Sequence, residues 1–165
     1  MTYDNIVTGT FLKRPNRFIA YVEVKGDVKT CHVKNTGRCQ ELLVPGCTVV
    51  LEFHPKAKEM KRKTEYDLIA VYKGNLLINM DSQAPNQAAL EWIREKEAKG
   101  LSLENVGIPT NIRREVTHGE SRFDLAFELK DEVTGKTVPA FMEVKGVTLE
   151  KEGNVSSRMH LRSGV

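Results

Sequence analysis

The sequence has few cysteines, and their spacing fits neither a disulfide framework nor a zinc site. Only three are present, Cys31, Cys39 and Cys47, an odd number without a close C-x-x-C pair. We therefore expect reduced thiols, which are typical of cytosolic proteins.

Long apolar runs are also missing. No stretch approaches the roughly 18 apolar residues that a membrane-spanning helix needs. The opening "MTYDNIVTGTF" lacks the basic start and apolar run of a signal peptide. We therefore expect a cytoplasmic protein without a membrane partner.

The excess of one charge sign is small, but the basic residues are clustered. The net charge is +3, from 25 basic and 22 acidic residues, which does not indicate nucleic-acid binding by itself. Clusters occur in "KRPNR" (13–17) and "HPKAKEMKRK" (54–63). Such runs are usually solvated loops, yet clustered Lys and Arg also attract phosphates by displacing counterions.

Residues 1–80 have the pattern of a small β-domain. "NRFIAYVEVKGD" and "VKTCHV" predict a hairpin, and "CTVVLEF", "YDLIAVY" and "LLINM" predict further strands. About five short strands separated by turn residues favour an OB-fold-like β-barrel, a fold that often binds nucleic acid.

The pattern changes in residues 81–165. "DSQAPNQAALEWIREKEAKG" predicts a helix with Asn86 as its N-cap and Gly100 at its end. Three strands joined by short turns follow, at 111–118, 121–129 and 138–149. The sequence thus predicts an α+β protein with two domains, 1–80 and 81–165.

The tripeptide Glu-Val-Lys occurs within two predicted strands, and only the second copy is preceded by a strand that carries an aspartate. Residues i and i+2 of a strand project to the same side, so Glu143 and Lys145 project together, as do Glu23 and Lys25. Asp124 lies on the strand before Glu143 and alternates onto its less apolar face. Two converging carboxylates can bind Mg²⁺, which prefers oxygen ligands.

The second copy therefore has the layout of a site, and the first is interpreted as structural. Asp124 followed by Glu-x-Lys resembles the PD-(D/E)xK nuclease core. The alternative is a set of surface charges on an edge hairpin, where a neighbouring Glu and Lys contribute little.

Four segments in order resemble the sugar fermentation stimulation protein A family: "FLKRPNRFIAYV", "CHVKNTGRCQELLVPG", "EVTHGESRFDL" and "MEVKGVTLEKEG". The resemblance implies an N-terminal OB-fold domain and a C-terminal PD-(D/E)xK nuclease-like α/β domain. It also implies DNA binding and a link to the regulation of sugar (maltose) metabolism.

The nuclease-like pattern assigns roles to four residues. Asp124 and Glu143 would bind Mg²⁺ or Mn²⁺, with the Val144 carbonyl as a third ligand, and Lys145 would orient water or stabilise charge on the phosphate. Glu115 would complete a second metal site or is a plain exposed strand residue, and the plain role is favoured.

The basic and asparagine residues of the family segments are the candidate nucleic-acid contacts. They are Lys13, Arg14, Asn16, Arg17, Lys34, Asn35, Arg38 and Arg122. Arg122 would contact a phosphate or pair with Glu120 or Glu143. Phe18 and Tyr21 are candidates for base stacking, although the alternation predicts that Phe18 faces the core.

After "EKEG" the sequence departs from the family. The family continues with a Phe-Pro-Asp-Ala-like stretch, whereas this chain has "NVSSRMHLRSGV". We therefore expect a member whose second domain lacks its C-terminal helix and strand, through truncation or a change of reading frame. Such a domain would be marginally stable, because a helix that covers a sheet face contributes much of a small domain's stability.

Three functions remain open at this point. The chain could be a DNA-binding protein with a nuclease-like metal site, whether or not that site cleaves. It could be a non-catalytic nucleic-acid-binding remnant, or a regulator that does not act on DNA directly.

Overall fold

A computed structural model describes residues 2–103, 106–146, 150–151, 154–155 and 158–163, and in the last three ranges it describes the main chain. The described residues form two compact units. The first holds residues 2–84, 150–151 and 154–155, and the second holds residues 85–146 and 158–163. In the described part of the chain, no helix is long and apolar enough to cross a membrane.

The first unit is a closed barrel. Its strands are β1 (Ile6–Lys13), β2 (Ile19–Val24), β3 (Asp27–Val33), β4 (Thr48–Phe53), β5 (Tyr66–Lys73) and β6 (Leu76–Asn79). Five strands pair in the order β1–β2–β3–β5–β4–β1, antiparallel except for the parallel β3–β5 pair that closes the barrel. Strand β6 pairs with β5 in an antiparallel arrangement. This architecture confirms the predicted OB-fold-like barrel.

Alternating apolar residues fill the barrel. In β2, Ala20, Val22 and Val24 are buried, as the sequence predicts for one face of a half-buried strand. Gly9 of β1 allows this strand to lie close to the Val22 side chain of β2, since a Cβ added at Gly9 would lie 2.6 Å from Val22 Cγ1. None of the three cysteines is in a disulfide, and Cys31 and Cys39 are buried in this unit.

The first Glu-Val-Lys differs from its prediction. Strand β2 ends at Val24, and Lys25 and Gly26 form the turn to β3 with φ values of +53° and +86°. Two positive φ angles match the right-handed twist of a tight hairpin. Glu23 is therefore a strand residue and Lys25 a turn residue, so the expected same-side pair does not form.

The second unit packs one helix on an antiparallel sheet. It contains α1 (Ala84–Lys99), β7 (Ile108–His118), β8 (Ser121–Lys130), β9 (Thr137–Lys145) and β12 (Arg158–Ser163). The order is β12–β9–β8–β7. The helix and the three consecutive strands confirm the prediction, whereas β12 was not predicted. Strands β10 (Glu150–Lys151) and β11 (Asn154–Val155) pair as a short hairpin that belongs to the first unit.

Helix α1 covers one face of this sheet. Its buried residues Ala89, Leu90 and Ile93 pack in one cluster with residues of β8 and β9, including Phe127 and Met142. The helix begins at Ala84, so Asn86 is not its N-cap. Pro85 favours the earlier start. The N–H groups of the first helical turn have no acceptor within the helix, so proline loses no hydrogen bond there.

Candidate functional site

Asp124 connects three elements of the second unit. Its Oδ2 accepts the main-chain N–H of Val144 in β9 at 2.8 Å, and its Oδ1 accepts the Asn86 side-chain amide of α1 at 2.8 Å. The carboxylate is half-buried. Two donors therefore fix its orientation.

The side-chain alternation of β8 breaks at this point. The regular pairing of β8 with β9 reaches Leu125, opposite Met142. Beyond it, the ring of Phe123 lies 4.9 Å from that of Phe141, whereas Leu125 packs with helix α1. The predicted alternation of residues 122–129 is therefore wrong at Phe123. At this point, past the last register pair of β8 with β9, the Asp124 side chain accepts the Val144 N–H.

Glu143 and Lys145 form an ion pair on β9. Their side chains are 51% and 61% exposed. The hydrogen bond to Glu143 raises the pKa of Lys145 above its ordinary value. Lys145 is thus a cation at neutral pH, suited to stabilise negative charge rather than to accept a proton.

Glu115 and Arg122 pair with each other across β7 and β8. Arg122 Nη2 lies 2.9 Å from Glu115 Oε2, and both side chains are mostly exposed. The ion-pair alternative for Arg122 therefore occurs, with Glu115 rather than Glu120 or Glu143. Among the described side chains, Glu115 does not join Asp124 and Glu143 in a group of three metal-ligand atoms within 4.8 Å.

The basic segment 13–17 and the segment that follows β3 line one surface cavity of about 620 Å³. Five of the candidate nucleic-acid residues line it: Lys13, Arg14, Asn16, Arg17 and Arg38. The segment from Thr36 to Arg38 forms part of the wall. The structure therefore brings together residues that are widely separated in sequence.

Arg14 holds the wall of the cavity together. Its Nη1 donates to the carbonyls of Gly37 and Arg38 at 2.7 and 2.8 Å. Its Nη2 donates to the carbonyls of Arg17 and Asn35 at 2.6 Å each. The guanidinium thus joins the segment after β1 to the segment after β3, and its terminal donors are occupied by the main chain.

Two asparagines shape the same loops. Asn16 Oδ1 accepts the N–H groups of Phe18 and Ile19 at 2.9 and 3.0 Å. Asn35 Oδ1 accepts the N–H of Gly37 at 2.8 Å. Such side-chain bonds to nearby main chain stabilise turns. The positions of Asn16 and Asn35 therefore have a structural reason.

Lys13, Arg17 and Arg38 present their charge at the cavity. Within the described residues, none of them pairs with an acidic side chain. Lys13 Nζ lies 5.5 Å from the Tyr21 ring centroid, and the Arg17 guanidinium lies 5.7 Å from that of Phe18.

Phe18 is exposed, contrary to the prediction that it faces the core. Half of its surface is accessible. Strand β2 begins one residue later, at Ile19, so the strand alternation does not extend to Phe18. The ring is therefore available beside the cationic cavity.

Lys34, another of the candidate nucleic-acid residues, pairs with an acidic side chain. Its Nζ lies 2.6 Å from Asp81 Oδ2, and the Asp81 side chain is fully buried. Lys34 thus neutralises a buried carboxylate, which would be costly to leave unpaired. The sequence pattern could not separate Lys34 from Arg38 because Asp81 is distant in the chain.

The structure also reveals an acidic and histidine cluster that the sequence analysis missed. Glu52, His54 and Asp67 place ligand atoms within 4.8 Å of one another and could hold a metal ion. Glu52 and Asp67 are partners in the register between β4 and β5. Glu52-x-His54 is a signal on one strand, but the pairing with Asp67 depends on that register.

Two family models match the chain. Residues 12–80 match the SfsA N-terminal OB domain, and residues 83–157 match the sugar fermentation stimulation protein RE domain. Together they span most of the chain.

Curated relatives are similar over nearly the whole chain. A sugar fermentation stimulation protein homolog of Alkaliphilus oremlandii is 54% identical over 93% of this chain and 61% of that protein. Homologs of Desulfitobacterium hafniense and Clostridium beijerinckii are 50% and 49% identical, over 60% and 62% of their own lengths. The chain thus spans about 60% of the relatives it matches.

A solved structure is also similar. It is the SfsA of Pyrococcus furiosus in complex with Ca²⁺, with a TM-score of 0.69 and 26% sequence identity. The match covers 92% of this chain and 58% of that one.

Proposed function

The chain belongs to the sugar fermentation stimulation protein family, and on that premise we propose that it binds DNA through the basic cavity of its barrel. One observation carries the proposal. Lys13, Arg17 and Arg38 share one cavity, and none of them pairs with an acid among the described residues. Cations so placed attract phosphates and gain from counterion release.

Phe18 supports a preference for single strands. Its exposed ring lies beside Arg17, where a base can stack. OB-folds bind single-stranded nucleic acid by combining a cationic groove with stacking aromatics. Arg14 contributes indirectly, since its four main-chain bonds hold the cavity loops in place before a ligand arrives.

A salt series tests this proposal. Single-stranded and duplex oligonucleotides would be titrated into the full chain at several salt concentrations, with Arg17→Gln and Arg38→Gln variants. Each variant should weaken binding and reduce the slope of log K against log salt by about one. Lys99→Gln, which removes an exposed charge from the helix, is the matched control. Binding that is equal in all four proteins would contradict the proposal.

A metal-dependent nuclease is the second candidate function. The orientation of Asp124 supports it, because each of its oxygens accepts one hydrogen bond and retains a lone pair for a cation. Asp124 and Glu143 would bind Mg²⁺ or Mn²⁺, and Lys145 would stabilise charge on the phosphate. The Pyrococcus furiosus relative, solved with Ca²⁺, supports a divalent cation in this family.

A cleavage assay separates the two candidates. The full chain would be incubated with DNA and Mg²⁺ or Mn²⁺, beside Asp124→Asn and Lys145→Ala variants. Metal-dependent cleavage that both variants lose supports the nuclease. DNA binding without cleavage assigns the chain to the non-catalytic alternative.

The link to sugar (maltose) metabolism is proposed from the family alone. Expression of the chain in a strain that lacks its own homolog should change growth on maltose. An Arg17→Gln, Arg38→Gln double variant should lose this effect if DNA binding underlies it. Unchanged growth in both strains would contradict the link.

A further inference from the structure

We propose that Glu52, His54 and Asp67 form a binding site for a transition-metal ion of the Zn²⁺ class. These residues lie within the first unit and take no part in the proposed DNA or nuclease sites. The inference therefore stands or falls independently of the proposed function.

The ligand atoms have suitable separations. His54 Nε2 lies 3.0 Å from Asp67 Oδ2 and 3.7 Å from Glu52 Oε2. Bonds of about 2.0–2.2 Å to a tetrahedral Zn²⁺ place neighbouring ligand atoms about 3.3–3.6 Å apart. The two measured separations therefore lie within a few tenths of an ångström of those in such a site.

The β-sheet itself positions the ligands. Glu52 and His54 lie two residues apart on β4 and its end, and Asp67 is opposite Glu52 in the β4–β5 register. The main-chain N–H of His54 also donates to Glu65 at 2.8 Å, which continues the pairing past the end of β4. Sites on such rigid elements hold their geometry better than sites on free loops.

Each carboxylate has one oxygen held by another donor. Glu52 Oε1 accepts the main-chain N–H of Asp4 at 3.1 Å. Asp67 Oδ1 accepts from Arg62 Nη2 at 2.6 Å, and His32 Nδ1 lies 3.4 Å from the same oxygen. Of the other two oxygens, Asp67 Oδ2 shares a hydrogen bond with His54 Nε2, and Glu52 Oε2 lies 3.7 Å from the same nitrogen. Outer partners of this kind orient the ligands of metal sites.

The charge balance of the cluster also favours a cation. Asp67 and Glu52 carry two negative charges, and Arg62 supplies one positive charge. The Asp67 side chain is only 5% exposed. A buried charge is costly unless it is paired. A divalent ion at this position would pair with both carboxylates.

The donor set selects the class of ion. One imidazole nitrogen with two carboxylate oxygens suits Zn²⁺, Co²⁺ or Ni²⁺ better than Mg²⁺ or Ca²⁺, which prefer oxygen ligands throughout. The alternative occupant of the same space is a proton, which would make His54 an imidazolium paired with both acids.

Calorimetric titration of the full chain with Zn²⁺ tests the proposal, with Co²⁺ as a spectroscopic probe. One ion should bind at this site, and His54→Gln and Glu52→Gln should each weaken its binding at least about tenfold. His118→Gln and Glu23→Gln, which change exposed residues of the same types, should bind as the unchanged protein does. Asp124→Asn should also retain the site, because Asp124 belongs to the other unit.

Three results would overturn the assignment. They are undiminished Zn²⁺ binding by a folded His54→Gln variant, equally tight binding of Ca²⁺ at this site, and no binding at all, which would identify the imidazolium network instead. If the variants fail to fold, the ring NMR signals of the four histidines in the unchanged protein test whether Zn²⁺ binds at His54. Zn²⁺ should shift the His54 signals, and unshifted His54 signals under saturating Zn²⁺ would contradict the site.

Discussion

The Asp124 carboxylate accepts the main-chain N–H of Val144 at 2.8 Å. A proposed metal ligand therefore also joins strand β8 to strand β9. This dual role matters for every variant at the site, because lost activity could follow from a displaced strand. Stability and chemistry have to be measured separately.

Asp124→Ala should lower the free energy of unfolding of the second unit by about 1–3 kcal/mol, since the partly buried Val144 N–H loses its acceptor. Asp124→Asn should cost less, because its amide oxygen can still accept that bond. Trp92 is the only tryptophan and lies in α1, so its fluorescence monitors the unfolding of this unit in a urea titration. Glu143→Ala is the exposed control, expected within about 0.5 kcal/mol of the unchanged protein. An Asp124→Ala midpoint equal to the control would contradict the structural role.

Arg14→Lys should destabilise the barrel by about 1–3 kcal/mol, because an ammonium cannot reproduce the planar fork that binds four carbonyls. Arg17→Lys, at the same loop but exposed, should change stability by less than about 0.5 kcal/mol. The unfolding of the barrel in urea can be monitored through the exposure of the buried Cys31 thiol. Equal midpoints for the two variants would show that the four bonds contribute nothing.

Local patterns explain which parts of this fold follow from the sequence. The alternation of Ala20, Val22 and Val24 predicts β2, because strand burial repeats every second residue. The change of residue pattern after Met80 and the apolar residues around Ile93 similarly predict the helix. Each of these signals lies within one element.

Site geometry depends on contacts between distant residues, and these are not visible in local patterns. Arg14 and Arg17 stand in one basic run, yet only Arg14 meets the carbonyls of the loop after β3. Glu52 meets Asp67 only through the β4–β5 register. The burial of Phe18 was predicted wrongly because it depended on where β2 begins, and strand ends are weakly encoded.

Cys31 should resist alkylation in the folded protein. Burial, and to a lesser degree the nearby Asp67 carboxylate, raises the pKa of its thiol to about 12. At pH 8 only about one thiol in ten thousand would be the reactive thiolate. Iodoacetamide labelling followed by mass spectrometry should therefore modify the half-buried Cys47 first and Cys31 only with unfolding. Early labelling of Cys31 under native conditions would contradict its place in the core.

Tyr3 should make the barrel less stable at high pH. Burial, with the nearby Asp81 carboxylate, raises the pKa of its phenol from 10.0 to about 12. Between these values the unfolded chain has released a proton that the folded chain still holds, so stability falls as pH rises. The contribution is fully present below pH 10. Urea midpoints from pH 9 to 12 should fall more steeply in the unchanged protein than in Tyr3→Phe. Parallel curves would rule out this contribution.

Phe18→Ala should weaken the binding of single-stranded DNA by about 1–3 kcal/mol, the usual contribution of one stacked base. The slope against salt should not change, because the variant removes no charge and releases no additional counterions. Leu77→Ala removes another half-exposed apolar side chain from the same unit and should leave binding unchanged. Melting of both variants would show whether the barrel is intact. A loss of affinity accompanied by a smaller salt slope would indicate that Phe18 positions Arg17, over which its ring lies, rather than stacking on a base.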